Sequence, residues 1–372
     1  MMTSVCHLTC VHKRYDTRIF LHECKSLANY GYHVSLIVAD GLGDEEREGV
    51  KIYDVGSNQV CRLKRMIRIT RLVEDKAIAL NSHIYHFHDP ELMFVGLYLR
   101  RKGKKVIFDM HEDYPGYFAE AKHIPMRRVV SFLYEKLERY SVKRFSGVVS
   151  TRQAINDRLI QYNNNISLVT NYPILLPDAD KKEPSVFTIA FAGAVVDSWR
   201  HKLIIKSLEE IDNIRYIIAG PVSDSYLCEL KAMKAWGKVE YRGQVTFDEV
   251  CNIYKNATIG VAIYVYCNNM GGKEGNLANT KMFEYMNCGI PFICTDFKLW
   301  KKIVEQEEQC GICVNPYSER EIVDAIRFFI SHPEERKRMA YNARKAAKER
   351  YNWLSQEANL LKLYNSILEL DA

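Results

Sequence analysis

The sequence predicts an α/β fold divided into two units, on three observations. Short apolar, β-branched runs alternate with amphipathic stretches, the pattern of parallel strands joined by helices. The alternation stops at NYPILLPDADKKEPS, residues 171–185, where three prolines and a cluster of charge show no period, and it restarts beyond. At 372 residues the chain exceeds one compact core and suits two domains of ordinary size.

Taken in order, strands are expected over residues 4–9 (SVCHLT), 33–38 (HVSLIV), 51–55 (KIYDV), 83–87 (HIYHF), 105–109 (KVIFD), 147–150 (GVVS) and 167–170 (SLVT), each short and mostly apolar or β-branched. Helices fall between them over 18–30, 61–80, 91–101 and 126–143, with Thr17 placed to cap the first. After the break, strands are expected over 186–192, 214–219, 238–241, 257–263, 291–295 and 311–314, and helices over 201–210, 225–236, 247–255 and 277–288. The last of these ends before Gly289, suited to the position just past a helix, with Pro291 beyond. The final fifty residues are nearly all helical in pattern, and Tyr351-Asn352-Trp353 marks a break before a last helix. The expected division is an N-terminal domain over 1–171, a linker over 172–185, a second domain over 186–350, and a C-terminal helix over 351–372 packing back on the first domain. Such a pair of units places a ligand cleft at the carboxyl ends of two facing sheets.

An apolar share of 47% and a charged share of 26% are those of a globular chain. No apolar run reaches the roughly 18–20 residues of a membrane span, and the opening residues lack the pattern of a secretory signal, so a cytoplasmic protein is expected. The net charge of +6 is too diffuse to indicate nucleic acid. Eleven cysteines, an odd count without regular spacing, read as free thiols in a reducing compartment. Cys310 and Cys313 have no second pair at metal-ligand spacing and read as a turn entering a strand.

Neither G-x-G-x-x-G after the first strand nor G-x-x-x-x-G-K-[ST] anywhere is present, which lowers the nicotinamide and P-loop readings. The most informative segment is GGKEGNLANTKMFEYMNCGIPF, residues 271–292. A glycine-rich loop leads into a helix whose N-terminus suits a phosphate. Lys281 stands one turn in, and Glu284 lies three residues later on the same face, where a carboxylate can accept from a ribose diol. A plain ion pair on a buried helix is the other reading of that spacing.

The segment resembles the nucleotide-sugar signature of the family 4 (group 1) retaining glycosyltransferases. Glu284 through Ile293, EYMNCGIPFI, matches the second half of that signature, and Asn276 stands eight residues before Glu284 where the family's first glutamate falls. Phe191-Ala192-Gly193-Ala194 resembles the first strand and turn of the family's donor domain, Arg200 and Lys202 stand near its basic pair, interrupted by His201, and Val239 to Gly243 resembles the turn along the nucleobase. The resemblance implies a GT-B fold, two Rossmann-like domains facing across a cleft. It implies a nucleoside diphosphate sugar as co-substrate, bound through Gly193, Arg200, Lys202, Gly243, Asn279, Lys281 and Glu284, with Asn276 expected as a catalytic residue bonded to sugar hydroxyls or phosphate.

In the first half, HIYHFHDPE (83–91) and VIFDMHEDY (106–114) each run from a strand into a polar cluster. The second resembles the family's strand ending in a histidine that contacts the transferred sugar, which makes His111 the residue expected in that role. His88, Asp89, Glu112 and Asp113 are expected to line the same cleft, and Asp16 and Arg18 to face acceptor or phosphate. A structural, hydrogen-bonded histidine is the alternative for any one of these.

The one D-x-D, Asp178-Ala179-Asp180, falls in the linker, so no metal is expected and the leaving diphosphate must be met by Lys281, Arg200 or Lys202 and a helix N-terminus. Two basic amphipathic stretches stand out. One carries Arg62, Lys64, Arg65, Arg68 and Arg71, with Leu63, Met66 and Ile67 on an apolar side; the other carries Lys122, Arg127, Arg128, Lys136, Arg139, Lys143 and Arg144 around Phe132, Leu133 and Leu137. They read either as solvated faces over a core or as docking surfaces for anionic lipid, where a polyprenyl-linked acceptor is found.

The expected activity is retaining transfer of a sugar, from UDP by preference, to a glycan or lipid-linked glycan of a surface polysaccharide. Closure of the linker hinge is expected to exclude water, and the departing phosphate to take the acceptor proton. An epimerase or phosphorylase on the same fold, or a non-catalytic nucleotide-sugar-binding partner, are the alternatives.

Overall fold

The structure is a computed structural model describing residues 3–57, 59, 61, 65–121, 124–178 and 183–369. It divides into two units, one of residues up to Asn171 together with the chain from Trp353 onward, the other Tyr172–Asn352.

Unit 1 is built on an eight-stranded sheet of β1 (Ser4–Leu8), β2 (His33–Val38), β3 (Glu45–Arg47), β4 (Val50–Asp54), β5 (Ile84–Phe87), β6 (Lys105–Met110), β7 (Gly147–Ser150) and β8 (Ile166–Leu168), in the order β3-β4-β2-β1-β5-β6-β7-β8. All neighbours are parallel except β3 and β4. A parallel sheet covered on both faces needs apolar residues on both, and every residue of β5 and β7 is buried. The helices are α1 (Thr17–Cys24 as a π-helix, then Lys25–Asn29), α2 (Arg65–Ile69, then Thr70–Leu80), α3 (Met93–Arg101), α4 (Tyr114–Glu120), α5 (Arg127–Val142) and α6 (Gln153–Leu159).

Unit 2 repeats the scheme with β9 (Phe187–Ala192), β10 (Ile214–Ala219), β11 (Val239–Tyr241), β12 (Ile259–Ala262), β13 (Phe292–Thr295) and β14 (Gly311–Val314), all parallel, in the order β11-β10-β9-β12-β13-β14. Its helices include α7 (His201–Ser207), α8 (Asp224–Lys231), α9 (Phe247–Lys255), α10 (Lys281–Asn287), α11 (Lys298–Lys301, then Lys302–Glu307), α12 (Glu319–Ser331) and α13 (Pro333–Glu349). The last helix, α14 (Trp353–Glu369), returns to unit 1. Its Trp353 donates to Ser26 Oγ (2.8 Å), Gln356 accepts from Thr170 N (2.9 Å), and Leu360, Leu363 and Ile367 are buried with Val5, Ile84 and Ile107.

Most of the expected elements are present; the differences have local causes. β3 is a short antiparallel edge formed by charged residues, which no apolar period announces. The helix expected from residue 277 starts at Lys281, because Asn276 Oδ1 accepts from Ala278 N (3.1 Å) and Asn279 Oδ1 from Lys281 N (3.0 Å), holding residues 276–280 in turns. Asp16, not Thr17, caps α1, its Oδ1 accepting from Arg18 N (2.9 Å) and Ile19 N (3.0 Å). α2 buries Ile69, Val73 and Ala77, so Met66 and Ile67 face solvent; Arg62, Leu63 and Lys64 lie outside the described residues. None of the eleven cysteines is in a disulfide, and Cys313 lies beside Cys294, 3.6 Å away across β13 and β14.

The linker expectation meets a chain held to unit 2. Leu176 N donates to Asn287 Oδ1 (3.1 Å), Asn287 Nδ2 to Ile174 O (2.8 Å), and Arg344 to Asp178 (3.0 Å). Ala179 and Asp180 of the D-x-D lie outside the described residues.

Strand order reverses at β1/β5 in unit 1 and at β9/β12 in unit 2. In open α/β sheets the crevice at such a point, at the carboxyl ends of the strands, is where ligands bind.

Candidate functional site

At the reversal in unit 2, Gly193 directly follows β9, Gly220 directly follows β10, and Gly243 lies in the turn after β11. These three glycines touch through backbone. Gly220 N donates to Gly243 O (2.6 Å) and Gly193 N to Ala219 O (2.9 Å). A Cβ on Gly220, whose φ is +132°, would lie 1.8 Å from Gly193 O, so only glycine fits. A Cβ on Gly193 would meet Lys281 Cε at 2.9 Å, which places the Lys281 side chain along this notch.

α10 aims its polar face there because its other face is locked down. Met282, Phe283, Tyr285 and Met286 are buried, and the Tyr285 ring lies flat against Gly260 of β12, where a Cβ would come within 2.6 Å of it. Burying one such ring contributes on the order of 2–3 kcal/mol. Tyr285 OH donates to Val261 O (2.8 Å). Lys281 and Glu284 then share the remaining face: Lys281 Nζ lies 3.0 and 2.8 Å from the two Glu284 oxygens. Thr280 Oγ1 (2.6 Å) and Tyr254 OH (3.2 Å) also donate to the carboxylate. Burial opposes ionisation of Glu284, but Lys281 and these hydroxyls outweigh it and hold its carboxyl below the usual range. The i,i+3 pair is therefore formed in this structure.

The other expected donor-site residues are placed less directly. Arg200, at φ +54°, donates Nε to Pro316 O (3.0 Å) and lies over the Tyr317 ring. Lys202 is bound to Glu229 and lies over Tyr226, so its charge is already met. His201 between them is fully buried, bonded to Tyr216 OH (2.9 Å), and burial pushes its ring down to about 3; it is a core residue. Asn276 spends both ends of its amide inside the loop, on Asn269 O (2.9 Å) and Ala278 N, and Asn279 caps Lys281 N. The phosphate-ready helix start expected from the sequence is thus partly filled by the chain's own side chains.

The reversal in unit 1 holds a buried polar cluster. Arg18, expected to face a ligand, is 5% exposed and spends its guanidinium on Asp109 (Nε–Oδ2 2.7 Å, Nη2–Oδ1 2.8 Å), Val169 O and Asn171 Oδ1. Two strand-end residues expected in a cleft, His88 and Asp89, are also buried: His88 Nδ1 meets Asp109 Oδ2 (3.0 Å), and Asp89 Oδ2 accepts from Thr9 Oγ1, Cys10 N and Val11 N. The reason is register: His88 follows β5 directly beside Asp109 of β6, and α1 covers both.

His111 does reach the surface, its side chain 16% exposed, with Nε2 on Asp109 Oδ2 (2.8 Å). Beside it stands His12, whose ring lies between Asp16 (3.2 Å) and Asp89 (3.4 Å). Burial opposes a charge on His12, but the two carboxylates raise its pKa above the ordinary histidine value. Asp16 is thus a helix cap and a partner of His12. Glu112 and Asp113 are half-exposed and paired with Arg152 and Arg158.

His7, Glu23, His86 and His88 have ligand-type atoms all within 4.8 Å of one another, and His88, Asp109 and His111 form a second such group. The nitrogens that face each other are engaged, His7 Nδ1 with His88 Nε2 (2.9 Å) and His86 Nδ1 with Tyr364 OH (2.9 Å).

α5 presents an unusual face. Met126, Val129, Phe132, Leu133 and Tyr140 are exposed, whereas Glu138 is buried against Arg158. Arg128, Lys136, Lys143 and Arg144 lie on the same exposed side. Phe132 and Leu133 of the second basic stretch therefore face solvent, whereas Leu137 packs against the core of unit 1. Lys122 lies outside the described residues.

Two family models match the chain. Residues 17–171 match Glycosyltransferase Family 4, and residues 177–346 match Glycosyl transferases group 1. The chain is a family 4, group 1 glycosyltransferase. Similar solved structures include a sucrose-phosphate synthase from Thermosynechococcus elongatus (13% identity, 99% of this chain and 100% of that one, TM-score 0.75). HepE of Anabaena, solved with UDP and glucose, is similar at 13% identity over 98% and 100% of the two chains, TM-score 0.70. A UDP-forming trehalose-phosphate synthase from Burkholderia xenovorans is similar at 13% over 99% and 100%, TM-score 0.68. At such identity these likenesses carry the fold, two Rossmann-like units of the GT-B type. No curated protein sequence matches the chain.

In this glycosyltransferase two residues that sequence reasoning left unmarked take part in the sites. Tyr254 of α9 reaches Glu284 from 30 positions away; its hydroxyl also accepts from Ala192 N (3.2 Å) and lies 3.2 Å from a second acceptor, Ala192 O. Asp109, the last residue of an expected strand, is the common acceptor of Arg18, His88 and His111.

Proposed function

We propose that the enzyme is a retaining glycosyltransferase that takes a sugar from a nucleoside diphosphate sugar, with UDP favoured, and passes it to a glycan or lipid-linked glycan in surface-polysaccharide synthesis. The observation that carries the donor site is the Lys281–Glu284 pair beside the Gly193–Gly220–Gly243 notch, at the strand reversal of unit 2. A diphosphate entering the notch competes for Lys281, and the freed Glu284 carboxylate accepts from the ribose hydroxyls while Thr280 and Tyr254 keep it ionised. The pair thus holds both recognition groups charged but mutually compensated until the ligand separates them.

Lys281 is the group that meets the negative charge of the leaving diphosphate, with no divalent metal invoked. His111 is assigned to the transferred sugar. UDP is favoured because HepE was solved with it and the trehalose-phosphate synthase is UDP-forming. The exposed apolar and basic face of α5 supports docking on an anionic membrane, where a polyprenyl-linked acceptor would be presented; no helix among the described residues is long and apolar enough to cross a bilayer. A cytoplasmic enzyme peripheral to the inner membrane fits that reading.

Calorimetry with UDP, GDP, ADP and CMP, with and without magnesium, tests the donor site. One nucleoside diphosphate is expected to bind without magnesium, and Glu284→Ala to weaken it about tenfold or more, roughly 1.4 kcal/mol. Absence of binding by every nucleotide removes the donor-site assignment. An inverted anomer in the product formed with the matching sugar removes retention.

A further inference from the structure

The buried cluster of unit 1 is one hydrogen-bonded chain whose proton positions follow from chemistry. Asp109 Oδ2 receives Arg18 Nε (2.7 Å), His111 Nε2 (2.8 Å) and His88 Nδ1 (3.0 Å), while Oδ1 receives Arg18 Nη2 (2.8 Å). Burial opposes its charge, but Arg18 and then His111 outweigh burial and hold the carboxyl well below the usual range. An ionised carboxylate only accepts, so His88 Nδ1 and His111 Nε2 both carry hydrogens.

Burial holds His88 neutral, which makes its Nε2 a lone pair. His7 Nδ1, 2.9 Å away, is therefore the donor in their bond. Burial and His88 keep His7 neutral too, so its Nε2 is an acceptor, and it has no partner among the described residues. Glu23 is fully buried, 3.3 Å from Arg18 Nη2, and neither oxygen has a hydrogen-bond partner among the described residues. Burial and then Asp109 push its carboxyl well above the usual range. With Glu23 neutral, Arg18 and Asp109 leave the interior with no net charge, the arrangement that buried ions require.

We propose that Asp109 is the positioning residue of His111, and that the chain His7–His88–Asp109 sets which nitrogen His111 presents. Nε2–H is fixed on Asp109, so Nδ1 is the presented nitrogen. With Nε2–H on Asp109, an Nδ1 that carries no hydrogen accepts a hydrogen bond, which matches a hydroxyl of a sugar and not an anionic oxygen. Only the link to the sugar rests on the function proposed above; the proton arrangement stands by itself.

The test is long-range proton–nitrogen NMR on the full chain labelled with nitrogen-15 histidine, from pH 5.5 to 8, with metal content measured on the same sample. Two neutral rings protonated at Nδ1 should stay untitrated, one signal lost in His7→Gln and the other in His88→Gln. A charged ring at His88, an Nε2–H form at either residue, or one equivalent of bound metal would overturn the proposal. Asp109→Asn turns the acceptor into a group that can also donate, so His111 should shift toward its Nδ1–H form and kcat should fall at least about tenfold with little change in donor KM. An unchanged His111 tautomer in folded Asp109→Asn overturns the proposal whatever the activity. That variant leaves Arg18 buried without its counter-ion; should it not fold, Arg18→Gln/Asp109→Asn removes both charges, and the wild-type spectrum still decides. If the tautomers are as expected but His111→Ala turns over normally, the assignment of His111 to the sugar fails and the positioning inference stands.

Discussion

Gly220 shows how much of the donor site is made of missing atoms. Its amide is bound to Gly243, its α-carbon lies against the Gly193 carbonyl, and its φ is one that other residues adopt only under strain. Gly220→Ala is expected to destabilise unit 2 by about 2 kcal/mol or more and to displace the notch beside Lys281. Denaturant unfolding and nucleotide titration on the same sample would show both effects; a stable variant with full affinity would mean that the notch does not shape the site. Lys281 and Glu284 were legible in the sequence because their spacing is local, i and i+3. Arg18 was not, since the carboxylate that claims it lies 91 positions away and a charged residue in a polar loop reads as exposed. Tyr254 was hidden for the same reason, by sequence distance between a tyrosine and the carboxylate it serves.

Helices and strands carry a different kind of information, and α5 is the element whose pattern misleads. Its apolar residues fall on two sides: Tyr134, Leu137 and Val142 pack on the core beside Glu138, which is tied to Arg158, while Val129, Phe132, Leu133 and Tyr140 point outward. Burial pushes the Glu138 carboxyl up, so the inward face depends on its arginine. Sequence alone gives the amphipathic period without the direction, because nothing local says which face the sheet takes. If the exposed face docks on lipid, Phe132→Asp/Leu133→Asp should abolish co-sedimentation with phosphatidylglycerol vesicles and leave nucleotide binding and thermal stability within about 0.5 kcal/mol of wild type. Equal sedimentation of both proteins would leave α5 with another partner. Strands were read more surely, since short β-branched runs between helices have few alternatives in an α/β chain. The start of α10 was missed by one turn because two asparagine side chains divert the backbone before Lys281.

Over the whole molecule, each unit encloses histidines that folding keeps neutral. Burial, joined at His22 by Arg18, pushes His22 of unit 1 and His201 of unit 2 down to about 3, from 6.5. The unfolded chain therefore binds more protons than the folded one between these values, and stability must fall as pH drops below 6.5 toward 3. Each ring accounts for about 1.4 kcal/mol per pH unit over that window. Urea unfolding between pH 7 and 5 should show the decline, and His201→Gln should flatten the part belonging to unit 2; a pH-independent midpoint would contradict the burial. The order in which the chain builds these units has a further consequence. Unit 2 is one continuous segment, whereas unit 1 needs α14, whose Trp353, Gln356 and Tyr364 bond to Ser26, Thr170 and His86. On a ribosome, synthesis runs from the first residue to the last, so the part of the enzyme begun first is finished last. Until its closing helix emerges, the nascent first unit holds an uncovered sheet face and an unfinished histidine cluster, exposed for as long as translation of the second unit takes.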